Sequence, residues 1–536
     1  MKRRAFLAGI GVTVVAASCS SNSTPTASSK NIPDAISAIL RKPRYAQAKW
    51  SLLVADVSTG ETLYELDADR MALTGSTRKL FSVGTALNAL GADHRVTTPV
   101  HRLGTVDAGV LNGNLVLVGN GDLTFGGRRI DANTVQYTDF DHNDANALGT
   151  AILTPQDPLY GVTELAKQVK ASGINAVNGD VVIDDRLFTP YRVPNGNLLI
   201  TPILLNENMV DVTVDPTQPG QPARLDYRPR TAALAVTGAI TTGPADSTSS
   251  VALSDQGRIE CVGSPGCGGS VSGDIPAGYK APLTGSETFV GTFRIDDPAS
   301  FARTAFIEAL AAQGVTVTAP AVAKNPPPPA TTSYSDDTRV ASFESAPLRQ
   351  DARLILKVSL NLGANLALSL FGLSKGRNTI QGALAAERQS LIDQYGVDGN
   401  QFSFPTNGSG TPDSQAAPRA LVRLLTAMAK TPVAADFQSA LPIMGVDGSL
   451  AHTGQTLAGK GHVFAKPGTT IMPGADGETL ELEAQNLAGY IETKSGRTVA
   501  YAVMVNDAGP VLNIADDVGA VFEDEGEISS IIYETL

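Results

Sequence analysis

The two ends of this chain carry matching parts of one pattern, and a long stretch of different character lies between them. Residues 50–56 are an apolar run, Ser58-Thr59-Gly60 is a turn signal, and residues 61–66 alternate. That combination predicts an antiparallel hairpin. Residues 76–90 then place Leu80, Val83, Leu87 and Leu90 at helical spacing. Past residue 345 similar elements return. Residues 353–373, 381–394 and 419–429 read as helices. Residues 487–493 and 498–505 alternate on either side of Lys494-Ser495-Gly496-Arg497, a second hairpin signal, and residues 518–533 read as a closing helix. A chain of 536 residues is too long for one ordinary core. The simplest arrangement is an α+β domain, an antiparallel sheet with helices, assembled from residues 33–95 and 345–536. Residues 96–344 are then a large β-rich insertion of two subdomains. It holds strand-like runs at 115–118, 180–183 and 210–214, and helical stretches at 165–171 and 300–313. Residues 127–155 are rich in Asn and Asp and read as a loop. Residues 319–334, with prolines at 326–329, read as an extended linker.

Charge sorts the classes of partner. A formal net charge of −12 argues against nucleic acid, which favours a basic face. Basic residues cluster at the extreme N-terminus, where Lys2-Arg3-Arg4 precedes apolar residues 6–17. Residues 1–19 read as an export signal, too short for a stable membrane span. Arg3-Arg4 with Phe6-Leu7 fits a twin-arginine signal. Cys19 looks like the lipidated cysteine of a bacterial lipobox, with Ala16 where Leu is usual. Plain cleavage near Ala17 is the alternative. Residues 20–32 read as a flexible tether. The expected location is the outer face of the cytoplasmic membrane, in the cell envelope, reached by export and held by a lipid anchor. Cys261 and Cys267 enclose a turn-rich segment, and an oxidising exterior permits a disulfide between them. Two reduced thiols are the alternative.

Ser76-Thr77-Arg78-Lys79 is the one S-x-x-K in the chain. On a helix, positions i and i+3 share a face, so the lysine reaches the serine hydroxyl. A serine at a helix start also meets backbone N–H groups that favour a developing oxyanion. The lysine accepts a proton only when neutral, so burial or a nearby cation must lower its pKa. By itself the motif is also compatible with an ordinary helix start and an exposed lysine. Its surroundings argue otherwise. Ser359-Leu360-Asn361 lies in a later apolar helical region, and Lys466-Pro467-Gly468-Thr469 opens a strand before the terminal hairpin. A Ser/Lys pair, a second Ser with an Asn, and a Lys strand, in that order, form the active-serine penicillin-recognising set. There is no G-x-S-x-G, no H-E-x-x-H, and no metal-ligand spacing among the five histidines.

Seven further blocks carry a specific resemblance. They are residues 112–122 ending in Gly121-Asp122, residues 179–185 ending in Asp184-Asp185, and Asn206-Glu207-Asn208. Asp297-Pro298-Ala299, Asn407-Gly408-Ser409-Gly410, residues 445–450 and Leu487-Ala488-Gly489-Tyr490 complete the set. Together with the three catalytic motifs, these blocks resemble the class C penicillin-binding proteins, serine peptidases of the D-alanyl-D-alanine carboxypeptidase/endopeptidase type. The similarity runs from about residue 33 to the end. It implies a penicillin-binding, β-lactamase-like transpeptidase fold acting on peptidoglycan stem peptides and inhibited covalently by β-lactams, with no metal or organic cofactor. Ser76 would be the nucleophile and Lys79 its base. Ser359 would pass a proton to the leaving D-alanine, and Asn361 would hold the acyl-side amide. Lys466 would supply positive charge. The N–H groups of Ser76 and Thr469 would bind the oxyanion, with Gly468 and Thr469 lining the substrate. Asp184 or Asp185 would bind the diamino acid of the stem peptide.

Three departures stand out. The family's usual Lys-Thr-Gly is Lys466-Pro467-Gly468, which removes a hydroxyl and an N–H. Asn407 replaces a usual Asp, and residues 471–485 read as a long acidic connection. A catalytically weak envelope protein that binds stem peptide without efficient turnover is therefore the competing reading. A β-lactamase is a third, disfavoured because no dedicated water-activating residue is evident.

Overall fold

The computed structural model describes residues 29–194, 198–330, 333–474, 476–477 and 479–536. Cys19 and the export signal lie outside the described residues. Strands β1 (Lys49–Asp56) and β2 (Thr62–Leu66) form the first hairpin, followed by helix α1 (Lys79–Leu90). After the insertion come α2 (Leu348–Val358), α3 (Asn361–Ser374) and α4 (Pro418–Met428). Strands β3 (Val463–Pro473), β4 (Leu480–Glu492) and β5 (Thr498–Asn506) and helix α5 (Gly519–Thr535) close the chain. The two ends interlock in one antiparallel sheet of order β2-β1-β5-β4-β3. Ser29–Lys30, expected in the tether, instead pair with Leu66 and Glu65 on the outer edge of β2.

Alternation along the strands decides what each sheet face buries. Leu53, Ala55, Tyr490, Ala500 and Ala502 pack with Leu80, Phe81, Leu356, Leu366 and Leu425 of the helical layer. Leu52, Val54, Leu487, Tyr501 and Val503 pack on the other side against Ile528 and Ile532 of α5. Burial on both faces explains why β1 reads as an unbroken apolar run. The connection expected at 471–485 is much shorter than that. β3 and β4 extend into it, with Pro473 opposite Leu480, so the acidic stretch is mostly strand.

The chain leaves this domain and returns to it on neighbouring strands, with Glu344 opposite Thr97 and Phe343 opposite Thr98. Between them, residues such as Leu115, Ile183, Phe293 and Phe306 form a separate core. One sheet of the insertion is built on Thr97–Asp107 and Val110–Val118, another on Met209–Asp215 and Phe289–Ile295. Cys261 and Cys267 are joined by a disulfide.

Beside the Ser76 motif, Arg78 is fully buried and forks onto Glu387 of the Ile380–Asp393 helix. Its Nη1 donates to Oε1 at 2.8 Å and its Nη2 to Oε2, while the guanidinium lies 4.0 Å from the centre of the Phe404 ring. This pair pins the turn that carries Ser76. Glu387→Ala strands a buried cation and is expected to cost about 3–5 kcal/mol in chemical denaturation. Arg78→Met/Glu387→Met should recover most of that loss. A cost below about 1 kcal/mol for the single variant would show that the pair anchors nothing.

Candidate active site

Gly75–Arg78 is a single 3₁₀ turn that runs into α1 at Lys79. The spacing does what a helical face requires, and Lys79 Nζ bonds to Ser76 Oγ at 2.6 Å. Nζ also donates to Ser359 Oγ at 3.2 Å and to the Ser409 carbonyl at 3.3 Å. The lysine is 0 % exposed and, among the described residues, makes no ion pair. Burial lowers its pKa to about 7, with Asp144 opposing the shift. Near neutral pH a large fraction of the amine is therefore free, and its lone pair can take the Ser76 proton.

The helix read across residues 353–373 is broken in the structure. α2 ends at Val358, Ser359 adopts a left-handed conformation with φ of 63°, and α3 begins at Asn361. This sparsely populated conformation turns the hydroxyl toward Lys79. Asn361 lines the same cleft, and its buried Oδ1 has no hydrogen-bond partner among the described residues. It is an acceptor left open for a ligand N–H.

β3 is the terminal strand of the sheet and brings Lys466 to the base of the cleft. An edge strand tolerates Pro467. Lys466 is fully buried and donates to the Pro467 carbonyl at 2.9 Å. Burial and the neighbouring Lys79 charge hold its pKa well below the usual lysine range. Glycine at 468 is a packing requirement. A Cβ there would sit 2.3 Å from the Thr74 carbonyl oxygen and 3.0 Å from the Ser76 nitrogen. Gly75 is the reciprocal case, with φ of 47° and a Cβ that would sit 2.7 Å from the Thr469 nitrogen. The serine turn and the β3 backbone therefore touch, placing Thr469 against Ser76.

Asn407 does the work of a cradle. Its Oδ1 accepts from the N–H groups of Ser409 and Gly410, while its Nδ2 donates to Thr406 Oγ1 and the Thr411 carbonyl. The amide supplies donors that a carboxylate lacks, and the loop it shapes presents the Ser409 carbonyl to Lys79.

The cleft over Ser76 encloses about 510 Å³. Ser359, Asn361, Lys466, Pro467 and Thr469 line it together with Ser76. The stretch expected to be a loop, residues 127–155, forms the opposite wall. It contributes Asp139, Phe140, Asp141 and Asp144. Asp184 and Asp185 are not among the lining residues. Asp184 accepts from Arg186 at 2.7 Å and 2.8 Å and from the Tyr334 hydroxyl at 2.7 Å, so its carboxylate serves a local ion pair. Burial raises the Asp185 pKa. Sequence reasoning thus missed the acids that face the cleft. The one signal for them was the Asn/Asp content of that segment.

The acidic wall is braced from behind. Asp141, His142 and Glu207 bring three ligand-type groups within 4.8 Å of one another, but the Arg128 guanidinium bonds to both acids, at 2.6 Å and 2.5 Å. His142 Nδ1 meets Asp211 at 2.6 Å. Burial would depress the imidazole, but Asp211, Glu207 and Asp141 outweigh it and raise the pKa to about 10. Within the cleft, burial and Asp141 raise Asp144 to about 6, against the pull of Lys79, Arg294 and Lys466.

A serine–lysine pair at a helix start, a second serine on a helix junction and a buried lysine on the facing edge strand define an active-serine, penicillin-recognising hydrolase. The chain belongs to the D-Ala-D-Ala carboxypeptidase 3 (S13) family, whose model matches residues 32–524. It is 26% identical over 519 residues to a D-alanyl-D-alanine carboxypeptidase of Actinomadura sp. (strain R39), covering 91% of this chain and 83% of the relative. The fold is shared with crystal structures of penicillin binding protein 4 from Haemophilus influenzae. One has a TM-score of 0.67 at 19% identity, covering 93% of this chain and 99% of the other. A second, complexed with a β-lactam, has a TM-score of 0.65 at the same identity and coverage. The chain is a serine hydrolase of the D-Ala-D-Ala carboxypeptidase class.

The lysine makes a pH prediction with a definite sign. Below its pKa Lys79 is an ammonium and cannot accept the Ser76 proton. The second-order rate of acylation by penicillin should therefore rise with pH, with a midpoint near the Lys79 value of about 7, and level off above it. A rate independent of pH between 5 and 9 would contradict a base of this kind.

Proposed function

We propose that this protein trims peptidoglycan stem peptides through an acyl-enzyme on Ser76. The observation that carries the reading is the 2.6 Å contact between Ser76 Oγ and the fully buried Lys79 Nζ. Ser76 Oγ attacks the carbonyl carbon of the D-Ala-D-Ala bond as its proton passes to Lys79. The N–H groups of Ser76 and Thr469, adjacent because Gly75 and Gly468 touch, receive the oxyanion. Collapse of the tetrahedral intermediate expels the D-alanine amine, which takes a proton from Lys79 by way of Ser359. Water then attacks the ester and frees Ser76. Asn361 Oδ1 accepts the acyl-side amide N–H. Lys466 adds positive charge, and β-lactams acylate the same oxygen.

Asp144 takes the place assigned to Asp184 or Asp185 as the partner of a stem-peptide amine, because it lies in the cleft wall. Cutting of cross-links as well as trimming of ends belongs to the same reading. Exported, lipid-anchored placement through Cys19 rests on the N-terminal residues alone. No helix among the described residues is long and apolar enough to cross a membrane.

Pro467 favours the second reading, a protein that acylates but turns over slowly, because position 467 lacks a hydroxyl to face the substrate carboxylate. Release of D-alanine from a peptide ending in D-Ala-D-Ala separates the two. The wild type should release it and Ser76→Ala should not. Pro467→Thr should raise kcat/KM by about tenfold or more, the worth of one hydrogen bond to a charged group. Equal and negligible release by the wild type and Pro467→Thr would leave the slow binder as the better account and remove the role given to the proline.

A further inference from the structure

Residues 135–140 lead from the short Thr134–Val135 strand into the acidic wall of the cleft, and their side chains alternate between two neighbours. Val135 is buried against α2, and its N–H donates to Gln350 Oε1 at 3.3 Å. Tyr137 packs against the same apolar cluster, which includes Leu348 and Ala352 of α2. The Arg353 guanidinium lies 5.1 Å from the centre of its ring, and its hydroxyl donates to Asp447 Oδ2 at 3.5 Å. Asp139 Oδ1 accepts from the Gly448 N–H at 3.0 Å. The intervening side chains turn back to the insertion. Gln136 Oε1 accepts from Gln156 Nε2 at 2.6 Å, and Thr138 Oγ1 donates to the Ile152 carbonyl at 2.8 Å. At the end of the segment Phe140 stacks on His452, with ring centres 5.7 Å apart. Alternation of this kind gives one segment two faces, so the chain here straps the insertion to the core beside the cleft.

The anchor on the core side is firmly held. Asp447 accepts from Lys357 Nζ at 2.6 Å and 2.7 Å and from the Ile443 N–H at 2.9 Å. Lys357 is 1 % exposed and also donates to the Leu441 carbonyl at 2.6 Å. Gly448 rests on the last turn of α2, where a Cβ would sit 2.8 Å from the Lys357 carbonyl oxygen. Lys357 stands two residues before Ser359. The strap therefore ties the acidic wall to the part of the core that carries Ser359, and Asp144 follows five residues after Asp139.

We propose that Tyr137, Asp139 and Asp447 are positioning residues that strap the insertion to the core and hold the Asp144 wall at a fixed reach from Ser76. The inference rests on the stem-peptide reading above and deepens it, because the strap sets how well the wall meets a stem-peptide amine.

The rival role for Asp139 is that of a direct ligand for the amine, and two variants separate the roles. Asp139→Ala removes the acceptor for the Gly448 N–H. Asp139→Asn keeps an acceptor oxygen but gives up the charge. The first readout needs no substrate. In hydrogen exchange followed by mass spectrometry, Asp139→Ala should speed exchange at residues 135–140 and 443–448, and Asp139→Asn should not. The second readout is calorimetric binding in the Ser76→Ala protein. Two D-Ala-D-Ala peptides are compared, identical except that the residue before D-Ala-D-Ala carries or lacks a side-chain amine. Asp139→Ala should weaken the amine-bearing peptide by about tenfold relative to the other. Asp139→Asn should keep the starting ratio within about twofold, whereas loss of an amine ligand would show in both variants. Thermal unfolding checks that each variant is folded. Equal losses in the two variants, unchanged exchange in Asp139→Ala, or an unchanged ratio in a protein that prefers the amine-bearing peptide would overturn the proposal. The predicted exchange in a protein with no such preference would support the strap and count against Asp144 as the amine partner.

Discussion

A buried lysine that makes no ion pair among the described residues is the constraint on which this site depends. Lys79 is surrounded by two serine hydroxyls and a carbonyl, none of which neutralises an ammonium. Lowering its pKa from 10.5 to about 7 corresponds to about 5 kcal/mol against the charged form. That bias is maintained by packing. β3 closes on the serine turn because Gly75 and Gly468 carry no Cβ, the Asn407 loop supplies the Ser409 carbonyl, and Arg78 is held away by Glu387. Arg78 adjoins Lys79 in the chain, yet its charge has its own buried partner.

The insertion belongs to the same design. It departs and returns on paired strands, which fixes its base to the hydrolase domain. From that base it sends Asp139, Phe140 and Asp144 across the cleft. The ion-pair network of Arg128, Asp141, Glu207, His142 and Asp211 holds this wall in shape. Three consecutive residues at that turn, Asn206, Glu207 and Asn208, have positive φ, a strained arrangement that the network repays. Asp144 then reaches the electrostatic field of Lys79 and Lys466, so a carboxyl carried by the insertion interacts with the two buried lysines of the core.

The parts legible in the sequence were those with local signals. The two hairpins, the S-x-x-K spacing and the lysine strand each announce themselves within a few residues, and their order implied that the ends share a sheet. Ser359 was legible as a motif but not as a helix break, because the apolar pattern continues across it and tertiary contacts set its φ. Asp184 and Asp185 were named from their motif, whereas the acids that line the cleft are Asp139, Asp141 and Asp144, and no local pattern shows that Arg186 and Tyr334 occupy the Asp184 carboxylate.

Direct titration of the Lys79 side chain tests the account at its root. Lysine labelled with ¹³C at Cε gives one resonance per side chain, and Lys79→Gln identifies the one that belongs to Lys79. The account predicts an inflection near pH 7 for that resonance in the folded protein. An inflection near the ordinary lysine value of about 10.4 would contradict it, because the residue would then be an ammonium at neutral pH and not the base that activates Ser76.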